Sequence, residues 1–152
     1  LNMLLLDNHF SKSEYKIKNN IGYYVTIANK KQPNTLEWKE LLSSVKEFYN
    51  IFEKNNKFKI VLDLSLLGYL TPFQYFEILR IFFTKKNKEI NKKFLIDSTI
   101  ILDNQNTISN FQKIFTIIKP TKPVNFESKN INNNNSYNIT NELKLLETFI
   151  QD

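Results

Sequence analysis

The chain has 152 residues, which suits one ordinary domain built around a single continuous core. Its 41% hydrophobic and 14% aromatic content is too rich in large apolar groups for a disordered protein, and the absence of cysteine excludes disulfides, thiolate metal sites and thiol nucleophiles. The formal net charge of +6 invites a nucleic-acid partner, yet Arg80 is the only Arg among 21 basic residues. Arg is the side chain that reads phosphate and guanine bidentately, so a lysine-rich solvated surface is the plainer explanation.

No apolar run approaches the roughly 18 residues of a membrane span. The opening Leu1-Asn2-Met3-Leu4-Leu5-Leu6-Asp7 has neither a basic lead-in nor a small-residue cleavage site, which speaks against a secretion signal and for a cytoplasmic, intracellular location. Residues 1–13 read as an N-terminal extension. From Glu14 to Lys18 polar and apolar residues alternate, and Tyr23 to Ile27 is aromatic and β-branched; Asn19-Asn20 between them suits a tight turn, so a hairpin is predicted. Asn34 with Glu37 three residues on has the form of a capping box. Trp38, Leu41, Leu42, Val45, Phe48, Tyr49 and Phe52 then recur at helical spacing.

Phe58 to Leu64 is a largely apolar strand, the kind used by a sheet with helices on both faces. Thr71-Pro72-Phe73-Gln74 supplies an N-cap, a proline at the first helical position and a glutamine reaching back. The helix that follows, to about Lys85, is unusually apolar. Lys85 to Lys93 reads as a basic link, and Phe94 to Leu102 as the next strand. Asp103-Asn104 opens a helix with Ile108, Phe111, Ile114, Phe115 and Ile118 on one stripe. Pro120 and Pro123 end it, and Val124-Asn125-Phe126 is a short strand. Residues 128–138 read as an Asn-rich linker, and residues 139–152 as a helix with Leu143, Leu146, Phe149 and Ile150 on the side that packs on the domain. The predicted class is therefore α/β, ordered β-β-α-β-α-β-α-β-α, with a mostly parallel sheet and an antiparallel hairpin at its start.

Ile60-Val61-Leu62-Asp63-Leu64-Ser65, followed by Gly68-Tyr69-Leu70-Thr71-Pro72-Phe73, resembles the STAS domain of anti-sigma-factor antagonists and sulfate-transporter tails. The resemblance runs from about Glu14 and includes the trailing helix; residues 14–127 form the STAS-like domain. It implies a non-enzymatic module that meets a partner protein, or a second copy of itself, at the start of the second helix. Where that family carries Asp and its phosphorylatable Ser this chain has Thr71 and Pro72, and Phe73 and Gln74 stand at the next Ser and Gly positions, so the phosphoserine switch is missing. Lys119-Pro120-Thr121-Lys122-Pro123-Val124, leading into a late strand, is similar to the CRAL-TRIO lipid-binding domain, which would imply a carrier of a small hydrophobic ligand. A basic structural subunit of a nucleic-acid-containing particle is the third alternative.

Residues able to do enzyme chemistry are few. His9 is the lone His, with a surface position expected. Asp63 and Asp103 fall near strand C-termini, where two carboxylates can hold Mg²⁺, but neither accompanies a phosphate-binding loop, and loop capping is the better reading. Asp97 interrupts an apolar strand. No nucleophile–base pair, metal cluster or cofactor motif is present, so no catalytic residue is assigned. The partner-binding candidates are Tyr69, Leu70, Thr71, Phe73, Gln74 and Phe76, with Tyr75 beside them. Thr71 is also a candidate phosphoacceptor, though a capping Thr needs no further role. Lys85, Lys86, Lys88, Lys92 and Lys93 are the candidates for contact with an anionic partner.

Overall fold

A computed structural model describes residues 2–52, 56–68 and 70–129. Six strands form one mixed sheet in sequence order: β1 (Asn2–Asp7), β2 (Ser11–Lys18), β3 (Ile21–Ala28), β4 (Phe58–Asp63), β5 (Leu95–Leu102) and β6 (Val124–Ser128). The first three pair antiparallel, and β3 through β6 pair in parallel. Helix α1 (Thr35–Ile51) joins β3 to β4, α2 (Pro72–Phe82) and α3 (Lys85–Phe94) join β4 to β5, and α4 (Gln105–Ile117) joins β5 to β6. The α/β class and the antiparallel start to a parallel sheet are as the sequence predicts.

Local chemistry accounts for the joints. Asn19 and Asn20 adopt φ of 53° and 64°, the left-handed pair that a two-residue hairpin needs. Asn34 accepts from the Glu37 amide at 2.8 Å while Glu37 Oε1 accepts from the Asn34 amide at 2.9 Å, completing the capping box. Thr71 and Gln74 form the same reciprocal pair at the start of α2, at 3.2 and 2.9 Å.

Three features depart from the sequence expectation. Strand β1 lies within the segment read as an extension, pairing with β2 through a register shift between Leu4 and Leu6. The basic link is a helix, α3, capped by Thr84. Its buried face carries Asn87 and Asn91 in place of apolar residues, and their side-chain amides donate to the carbonyls of Ile81 and Phe82. Finally, the three parallel crossovers all advance in one direction, which for right-handed connections places every helix between them on the same face. Burial agrees: Tyr24, Thr26, Phe58, Ile60, Ile100 and Leu102 are enclosed, whereas their alternating neighbours Tyr23, Val25, Val61, Thr99 and Ile101 keep part of their surface. Among the described residues the helices therefore cover one face, not both. The opposite face mixes these side chains with the ion pairs Lys12–Glu14 and Lys59–Asp97, the latter at 3.7 Å.

Under the helices the interior divides in two. One part gathers aromatic rings around Phe48, stacked on Tyr24 at 4.4 Å and edge-on to Phe58 at 5.2 Å. The other lies between α2, α4 and the sheet, around Leu70, Phe76, Leu102, Phe111 and Ile114. No helix among the described residues is long and apolar enough to cross a membrane. Of the segment read as a linker, residues 128–138, Ser128 closes β6, and from residue 130 it lies outside the described residues, as does the segment 139–152 read as a helix.

Candidate functional site

Because β3, β4 and β5 run parallel, the loops that leave their C-terminal ends emerge at one edge of the sheet. In α/β folds that edge is where binding groups collect. Here the loop after β4 is tied to the loop after β3 by the Gly68 amide donating to the Lys31 carbonyl at 2.7 Å. The Trp38 indole, on the first turns of α1, donates to Glu77 on α2 at 3.0 Å. The two helix starts are thus held as one unit.

Asp63 organises this edge. Its Oδ1 accepts from the Ser65 amide at 3.1 Å and from the Ser65 hydroxyl at 2.6 Å, and its Oδ2 meets Lys129 Nζ at 3.3 Å. Burial pushes the Asp63 carboxyl upward, but the two bonds from Ser65 and the Lys129 ammonium outweigh it and hold its pKa below the ordinary value. Asp103 is buried and accepts from the Asn104 side chain at 3.1 Å. Both acids serve the loops they begin. Among the described residues no group of three or more His, Cys, Asp or Glu is placed to hold a metal.

The residues singled out at the start of α2 separate into three kinds. Leu70, Tyr75 and Phe76 are enclosed: Tyr75 meets the Phe111 ring edge-on at 5.9 Å, and the Arg80 guanidinium lies 5.7 Å from the centre of the Phe76 ring. Thr71 and Gln74 are occupied with each other in the capping box. Phe73 stands out, with 60% of its surface exposed at the first turn of the helix. Tyr69 lies outside the described residues.

Two further apolar side chains are exposed at the same edge. Leu36, in the first turn of α1, is 67% exposed, and Leu66, in the loop after β4, is 45% exposed. Sequence reading passed over both. For Leu36 the signal was there: it falls off the apolar stripe of Trp38, Leu41, Val45 and Phe48, so nothing in the core requires a leucine at that position.

The lysines separate from this edge. Lys85, Lys86, Lys88, Lys92 and Lys93 are all exposed along α3. That helix runs directly into the start of β5, so its C-terminal end lies at the sheet edge opposite Phe73. His9 is exposed in the β1–β2 turn, where the Asn8 side chain accepts from the amides of Phe10 and Ser11. Compared with known proteins, the chain matches no family model, no curated protein and no solved structure, so the STAS and CRAL-TRIO resemblances rest on the residues quoted for them.

Proposed function

We propose that this chain is a non-enzymatic interaction module of STAS-like type, docking a protein surface at the edge formed by the starts of α1 and α2. The observation that carries the reading is the grouping of Phe73, Leu36 and Leu66, three large apolar side chains left exposed on loops and first turns that share one sheet edge. Exposed apolar groups scattered singly need no explanation, whereas a group at one edge marks a contact surface. The capping box of Thr71 and Gln74 fixes the backbone that presents Phe73, and the Trp38–Glu77 bond fixes the two helices relative to each other. The surface is therefore preorganised, which lowers the ordering cost of docking.

A constitutive apolar contact also fits the residues that replace the phosphoserine switch. Pro72 presets the first helical turn, and Phe73 supplies the kind of aromatic anchor that dominates interface energetics. The test is the assembly state of the purified full chain with Phe73 intact and with Phe73→Asp. Loss of a defined homo-oligomer, or of a stoichiometric partner complex, in the variant alone supports the reading. An assembly state unchanged by the substitution defeats it.

A further inference from the structure

Protein interiors are close-packed, with few voids larger than a water molecule. Between the sheet and helices α1, α2 and α4 this chain encloses a cavity of about 150 Å³. Its walls are mostly apolar, with Leu62, Leu64, Leu79, Phe111 and Ile114 among them; no carboxylate lines it, and its charged groups are Lys88 and Lys122. Three hydroxyl residues of the sheet, Ser11, Thr26 and Ser98, interrupt the apolar lining. The Thr26 hydroxyl is held by Ser13 at 2.9 Å, and that of Ser11 lies 3.5 Å from Asn8. Ser98 is on the helix-covered face, in register with Ile60 and Val124, and its side chain makes no hydrogen bond among the described residues. The lining reaches solvent at Lys88 on α3 and at Thr121 in the loop before β6.

We propose that this cavity binds a compact, uncharged, mostly apolar molecule, the size of one aromatic ring with small substituents, whose single hydroxyl or carbonyl group bonds to Ser98. Apolar cavities of this volume stay dry and take up benzene-sized guests, and a water needs two to four polar partners that one serine does not supply. A cation is excluded because no carboxylate lines the walls, and an uncharged guest suits the interior because the two lysines of the lining, Lys88 and Lys122, stand where it meets solvent. Specificity then rests on one oriented polar group within an apolar envelope, the usual composition of a small-molecule site.

The test uses the full-length chain with phenol and benzene as probes, followed by NMR titration. Both probes should give saturable shifts that map to residues lining the cavity. Ser98→Ala should weaken phenol by about tenfold, the scale of one hydrogen bond, and leave benzene within about twofold. Ile100→Phe, which fills the cavity floor, should abolish both; should it fail to fold, Ser98→Val supplies the second polar-to-apolar comparison. The absence of saturable shifts with both probes overturns the proposal, as does equal weakening of phenol and benzene by Ser98→Ala. Neither outcome bears on docking at Phe73, which lies outside the cavity lining.

Discussion

Phe48 has no exposed surface and is ringed by Tyr24, Phe58 and Tyr49, whereas Phe73 leaves 60% of its surface to solvent. The same side chain is thus enclosed by packing at one position and left to solvent at the other. Phe48→Ala should cost about 3–5 kcal/mol in a urea titration, because the cavity left among rigid rings cannot collapse. Phe73→Asp should change stability by no more than about 0.5 kcal/mol, as surface substitutions do. A titratable pair adds a pH signature. Glu37 accepts from the Asn34 amide and pairs with Lys30 at 2.8 Å, so its pKa, like that of Asp63, lies below the ordinary value. Stabilisation from a lowered carboxyl is complete above the unfolded values of 4.5 and 3.8 and is lost as the pH falls through the folded ones. Asp63→Asn should therefore flatten the acid limb of stability against pH, and an acid limb identical to the parent's would contradict the role of Asp63. The capping residues were plain in the sequence because their chemistry is local. The exposure of Phe73 was not, since an apolar residue in the first turn of an apolar helix fits core and surface equally well.

At the scale of elements, the same division between local and tertiary signals holds. The hairpin turn at Asn19-Asn20 and the starts of α1 and α2 are written in two to four consecutive residues, and each is found where those residues stand. Helix α3 was hidden because its inner face is built from Asn87, Ile90 and Asn91, so the apolar period that signals a helix is missing. Tertiary bonds replace it: Asn91 accepts from the Tyr49 hydroxyl at 2.8 Å while its amide donates to Phe82. Burial raises the Tyr49 pKa and keeps its hydroxyl a donor throughout the neutral range. Asn91→Leu should accordingly destabilise the fold by about 1–3 kcal/mol, despite the gain in apolarity, because the Tyr49 hydroxyl loses its acceptor. A variant as stable as the parent in thermal unfolding would show that the Asn91 bonds do not hold α3, leaving Ile90 and the Asn87–Ile81 bond to do so. Strand β1 was hidden for a different reason: Met3-Leu4-Leu5-Leu6 has no alternation, and the register shift between Leu4 and Leu6 explains why.

At the scale of the whole molecule, strand order decides what the sequence could not. An apolar strand such as β4 fits a sheet covered on both faces, but consecutive neighbours with right-handed crossovers wind all the described helices onto one. That winding brings the loops after β3 and β4 to a common edge and so gathers Leu36, Leu66 and Phe73, residues far apart in sequence. It also sets the C-terminal end of α3, with its exposed lysines, at the other edge, apart from the exposed apolar side chains. Docking of protein at the Phe73 edge is put to the test by native mass spectrometry of the gently purified full chain beside its Phe73→Asp variant. A defined dimer or a stoichiometric complex is expected for the parent, and a folded monomer for the variant. A parent that is monomeric and unpartnered, or a variant that assembles as the parent does, would contradict it.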